Sequence, residues 1–132
     1  MIAVEGALKS KEISYIHSEA FASGELKHGT IALIDEGVPV VINVTQSDLF
    51  DKSVSNIKEV VARGAYVIAV AKEGNTLVEE VADEVFYIPA VEDEYTGFLS
   101  IIIHQLLAYY LSKLKGNDVD KPRNLAKSVT VE

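Results

Sequence analysis

Val38-Pro39-Val40-Val41-Ile42-Asn43-Val44 and Ala65-Tyr66-Val67-Ile68-Ala69-Val70-Ala71 are two short, largely β-branched apolar runs, each bounded by turn residues. Runs of this kind suit strands of a parallel sheet that are buried on both faces. Between them, Leu49 to Arg63 places Val54, Ile57, Val60 and Val61 on one helical face and stops at Gly64, which completes a βαβ unit. Asn75 to Ala82 then reads as a second short helix, Glu84 to Ile88 as a third strand and residues 95 to 114 as the last long helix. Strands alternating with helices predict an α/β fold with a mostly parallel sheet.

Upstream, Val4, Leu8, Ile16 and Ala20 recur in multiples of four, which predicts an amphipathic helix from Ala3 to about Ala20 with Glu12 in its apolar stripe. Ala22 to Gly29 contains two glycines and predicts a tight loop or a single helical turn before Ile31 to Ile34; Asp35-Glu36-Gly37 predicts a further turn. After Gly116 comes a polar tail, Asn117 to Glu132, in which Pro122 prevents simple helix continuation. Three strands are few for a doubly wound sheet, so an element is expected to be missing upstream, with the exposed sheet edge covered by another chain.

At 132 residues the chain has the size of one domain, and its 48% hydrophobic and 24% charged residues are those of a globular protein. A formal charge of −8 argues against nucleic acid and anionic membrane surfaces as partners. There are no cysteines, so disulfides, thiolate metal sites and a cysteine nucleophile are excluded. The longest apolar stretch, Phe98 to Leu111, falls short of the roughly 20 residues that cross a bilayer and reads as a buried helix. The start of the chain lacks the features of a secretory signal, and a cytoplasmic location is expected.

Several signatures are missing, among them G-x-G-x-x-G, G-x-S-x-G and H-E-x-x-H. Gly24 to Thr30 has the glycine spacing of a P-loop but carries Thr30 where the phosphate-binding lysine belongs. His17, His28 and His104 lack ligand spacing, so no metal site is expected, and His104 inside an apolar helix reads as a hydrogen-bonded core or interface residue. Glu12 must either reach solvent or be buried with a partner, and Lys9, three residues earlier, can supply that partner. A buried carboxylate makes a good general base, whereas a surface ion pair is the plainer reading. His28 lies in a glycine-bounded loop, where imidazole can exchange protons near neutral pH or simply be exposed. From Lys113 onward the chain has five basic and three acidic residues, a locally positive end suited to a small anion such as a sugar phosphate, or an exposed basic tail.

Three segments together carry a resemblance. Glu5-Gly6-Ala7-Leu8-Lys9-Ser10-Lys11-Glu12-Ile13-Ser14-Tyr15-Ile16-His17, Gly24-Glu25-Leu26-Lys27-His28-Gly29, and the tail from Asp118-Val119-Asp120-Lys121-Pro122-Arg123-Asn124-Leu125 to Ala126-Lys127-Ser128-Val129-Thr130-Val131-Glu132 resemble the C-terminal end of the glutamine-fructose-6-phosphate aminotransferase (glucosamine-6-phosphate synthase) family. The resemblance implies the second of two sugar isomerase (SIS) domains, with a flavodoxin-like αβα sandwich and no cofactor. It implies conversion of fructose 6-phosphate and glutamine to glucosamine 6-phosphate and glutamate, with Glu12 as the base that moves a proton between C1 and C2. It further implies that Lys127 forms a Schiff base with the sugar, that His28 assists ring opening from a neighbouring subunit, and that Lys9 and Ala126 lie at the substrate. A Schiff-base lysine needs an uncharged amine, which a tail folded over a closed pocket can provide. A homodimer is expected because the implied ring-opening histidine acts across a subunit boundary and because the sheet reads as incomplete.

The departures bear on activity. The glutaminase cysteine, the first SIS domain with its phosphate-cradling loop and the strand before Glu5 are all missing, so the chain reads as a truncated fragment, inactive or nearly so alone. Thr30 replaces a proline common in the family. The rival expectation is a non-catalytic SIS module that binds a sugar phosphate or mediates dimerisation.

Overall fold

A computed structural model of the protein describes residues 1–123 and 125. Three parallel strands, β1 (Pro39–Val44), β2 (Tyr66–Lys72) and β3 (Glu84–Ile88), form a sheet of order β1-β2-β3. The register aligns Val40 with Val67, Ile42 with Ala69 and Ala69 with Val85. Because strand side chains alternate, this places Val40, Ile42, Val44, Val67, Ala69, Ala71, Val85 and Tyr87 on one face. That face packs with Ile57 and Val60 of α2 (Phe50–Val61) in the main core. Asn43, Ile68 and Ile88 take the opposite face, where α1 (Ile2–Lys9) and α3 (Thr96–Leu114) lie packed against each other. The sandwich therefore has three layers, as the strand and helix alternation predicts.

Two glycines matter here. Gly64 ends the turn after α2 with a positive φ of 89° and accepts the Gly37 N–H at 2.7 Å, locking the entry to β1 against the entry to β2. Gly6 allows α1 and α3 to touch, since a Cβ there would stand 2.6 Å from Nδ1 of His104.

That contact corrects the expected first helix. The α-helix stops at Lys9, a single π-helical turn covers Ser10–Ser14, and Tyr15 closes it with φ 56°, in the left-handed region. The buried positions are Gly6, Ala7, Ser10 and Ser14, whereas Val4 and Leu8 of the expected stripe are 60% and 40% exposed. The reason is close approach: α3 presents Thr96, Ser100, His104, Ala108 and Ser112 to this interface, and only small side chains fit opposite them.

Other expectations shift less. The second short helix is a 3₁₀ turn, Thr76–Glu80, and the loop between residues 22 and 29 is a 3₁₀ turn, Ser23–His28. The sheet is not buried on both faces throughout, because α1 and α3 leave Tyr66 and Phe86 nearly half exposed. Nor is α3 buried all round: with its preceding turn it reaches 22 residues, long and apolar enough by composition to span a membrane, yet its polar stripe is buried in the domain. Its outer face carries exposed Phe98, Ile102, Leu106, Tyr110 and Leu114.

Candidate functional site

The π turn creates the site. A π turn widens the helix by one residue and shifts the carbonyls that follow out of the regular ladder. Here the Ser14 hydroxyl donates back to the Ser10 carbonyl at 2.6 Å. The Ile13 carbonyl is taken from the other side, by the Ser112 hydroxyl at 2.8 Å and the Asn117 amide at 3.4 Å. The end of α3 thus fixes the turn that carries Glu12. Replacing Ser112 by Ala removes the shorter of these donors and is expected to cost about 1 kcal/mol, read from the urea midpoint.

Lys9 and Glu12 meet as their spacing predicts. Lys9 Nζ lies 2.7 Å from Glu12 Oε2 and 3.5 Å from Glu5 Oε1, with the side chains of Lys9 and Glu12 about one-third exposed. The hydrogen bond to Glu12, helped by the charges of Glu12 and Glu5, raises the Lys9 pKa above its ordinary value despite partial burial. Lys9 is therefore a fixed cation, suited to holding a carboxylate or an anion and unsuited to nucleophilic attack. Among the described residues, Glu12 Oε1 takes no hydrogen bond, which leaves one carboxylate oxygen for a proton.

The tail returns to this turn. Asp118 Oδ1 accepts the N–H groups of Asp120 and Lys121, which bends the chain after α3. Arg123 N–H then donates to the Tyr15 hydroxyl at 2.7 Å, and its guanidinium sits 4.2 Å above the Tyr15 ring. Tyr15, Ser112 and Arg123 were not among the expected site residues; their only sequence signal is that Tyr15 follows Glu12 closely and Arg123 precedes Lys127. Ala126 and Lys127 themselves lie outside the described residues.

His28 ends the Ser23–His28 turn, just before Gly29 at φ 149°, and its side chain is 74% exposed. Its nearest carboxylate is Glu25, 4.0 Å away on the same turn, and among the described residues nothing links it to Lys9 or Glu12. His104 is buried, with Nε2 3.1 Å from Asn43 Oδ1, and burial pushes its pKa down. Its hydrogen-bonded core role is as expected. An apolar cleft of about 480 Å³ runs between α1, the segment after it, β1 and α3, lined by Gly6, Ser10, His17, Leu26, Ile42 and His104. Lys9, Glu12 and His28 do not line it.

A three-stranded parallel sheet between helical layers defines an α/β sandwich domain. The family model of the SIS domain matches residues 1–114, and the chain belongs to that family. It is 66% identical over 131 residues, 99% of its length, to the isomerizing glutamine–fructose-6-phosphate aminotransferase of Clostridium acetobutylicum, and spans 22% of that relative. Among solved structures it is similar to the C-terminal domain of glucosamine-fructose-6-phosphate aminotransferase from Francisella tularensis, with a TM-score of 0.84, 45% identity and coverage of 92% of this chain and 34% of that one. It is also similar to glucosamine-6-phosphate deaminase from Thermotoga maritima, with a TM-score of 0.78, 30% identity and coverage of 97% and 36%.

Proposed function

We propose that the chain is the second SIS domain of a cytoplasmic, isomerizing glutamine–fructose-6-phosphate aminotransferase, with residues 1–116 as the domain and 117–132 as a tail that completes the active site. What carries this reading is the 66% identity over 131 residues, and the docking of Arg123 on Tyr15 supports it. Lys127 follows Arg123 by four residues, a chain length of at most about 14 Å.

In this mechanism Lys127 attacks the open-chain ketone of fructose 6-phosphate and loses water to form an imine at C2. Ammonia then adds to C2 and displaces the Lys127 amine, which leaves the ammonia-derived ketimine; Glu12 removes the proton from C1 of that ketimine and returns it at C2, while Lys9 holds the carboxylate in place. Lys9 and Ala126 border the substrate. His28, exposed and not bonded to Lys9 or Glu12 among the described residues, assists ring opening in a neighbouring subunit of a homodimer. Ammonia from glutamine and the phosphate cradle are supplied by the glutaminase and first SIS domains of the complete enzyme, so the chain alone is expected to be inactive or nearly so.

The test is borohydride trapping with fructose 6-phosphate in a full-length enzyme carrying this segment, followed by peptide mass spectrometry. An adduct on Lys127 that disappears in Lys127→Ala is the expected result. Unchanged synthesis in Lys127→Ala would overturn the reading in favour of a non-catalytic module. In the 132-residue chain alone, NMR titration with fructose 6-phosphate is expected to give little or no shift around Glu12.

A further inference from the structure

The carboxyl ends of all three strands converge on one polar cluster that the Glu12 site does not use. Ser47 follows β1, Lys72 is the last residue of β2, and Asp93 lies between β3 and α3. Asp93 Oδ2 accepts the Ser47 N–H at 2.6 Å, while Oδ1 accepts the Ser47 hydroxyl at 2.8 Å and the Lys72 ammonium at 2.6 Å. Lys72 Nζ also donates to Ser47 Oγ at 2.9 Å. Gln46 and Thr96 anchor the backbone beneath, each donating to the Asp93 carbonyl, at 3.1 and 2.7 Å. The Lys72 side chain is only 14% exposed.

A backbone N–H, a hydroxyl and an ammonium directed at two oxygens form the donor set that recognises an oxyanion, at the strand ends where open parallel sheets bind ligands. Here the oxyanion belongs to the chain. We propose that the Asp93 carboxylate is an internal plug, which occupies an oxyanion position between Ser47 and Lys72 and shuts phosphate groups out of that position at the strand ends. The plug stands on these contacts alone and does not depend on the roles proposed for Glu12 and Lys127.

The same three donors hold the Asp93 pKa down at about 2, from an ordinary 3.8, the Lys72 hydrogen bond being the largest cause. A lowered carboxylate pKa gives stability that is present above the unfolded value and is lost as pH falls from about 4 towards about 2. The stability difference between the wild type and Asp93→Asn is therefore expected to shrink across that window, as measured by urea denaturation at each pH.

The plug itself is tested by titrating the 132-residue chain with inorganic phosphate and following amide NMR signals. The wild type is expected to show no saturable shift at Ser47. Asp93→Ala is expected to show one, and adding Lys72→Met is expected to abolish it. Saturable binding at Ser47 in the wild type would overturn the proposal, as would a folded Asp93→Ala chain in which Ser47 does not respond. Should Asp93→Ala lose its dispersed spectrum, Asp93→Ser, which keeps an acceptor for the Ser47 N–H, serves instead with the same two deciding outcomes.

Discussion

Glu12→Gln, placed in a full-length enzyme carrying this segment, is expected to lower glucosamine 6-phosphate formation by roughly 10²–10⁴-fold, the range for loss of a positioned general base. The substitution is nearly isosteric. The Gln carbonyl oxygen can still accept from Lys9, so the 2.7 Å contact and the π turn around it are retained. What disappears is the ability to take a proton. Under the proposed mechanism kcat and kcat/KM fall together, because the lost interaction belongs to the transition state. Lys127 trapping survives, because imine formation precedes proton transfer. Lys9→Met should be milder, since it leaves the carboxylate in place but unanchored. Steady-state kinetics on the two variants separate these outcomes, and a Glu12→Gln enzyme with wild-type synthesis would remove Glu12 from the mechanism.

The largest expected effect on stability comes from Gly6. In an isolated helix, replacing glycine by alanine gains about 1 kcal/mol. Here a Cβ would stand 2.6 Å from Nδ1 and 2.8 Å from Cγ of His104, atoms too close to the His104 backbone to swing away cheaply. Moving the ring also strains or breaks its hydrogen bond to Asn43 on β1. Gly6→Ala is therefore expected to destabilise by about 1–3 kcal/mol despite the propensity gain, and Gly6→Val by more. Urea denaturation of the 132-residue chain measures this. Repeating Gly6→Ala in a His104→Ala background should turn the change neutral or stabilising, because the space has been vacated. Equal losses in both backgrounds would show that the helix contact is not the cause.

These two residues mark how far the sequence could be read. The Lys9–Glu12 pair was legible because a spacing of three brings side chains together locally along an α-helical stretch, whatever the rest of the chain does. The strands and α2 were legible for a related reason: apolar runs of the right period must be buried whatever they pack against. The extent of the first helix was not. Val4, Leu8, Ile16 and Ala20 have the right spacing for an apolar face, but the buried face is the one with Gly6, Ala7, Ser10 and Ser14. Close approach to α3 rewards small side chains more than hydrophobic ones, and nothing within twenty residues of Gly6 announces the presence of His104.

The candidate site divides in the same way. Local spacing and the resemblance named Glu12, His28 and Lys127, but neither could say that Ser112 and Asn117 hold the Glu12 turn, or that Arg123 brings the tail back to Tyr15. Ser47, Lys72 and Asp93 are separated by 25 and 21 residues and become neighbours only because parallel strands end on the same side of the sheet. The sequence by itself determined the α/β class, the order of its strands and main helices, and the Lys9–Glu12 ion pair. Only the tertiary structure decided where the first helix ends, which of its faces is buried and which carboxylate meets Ser47 and Lys72 at the strand ends. Those outcomes depend on contacts between segments far apart in the chain, whose energies no local pattern encodes.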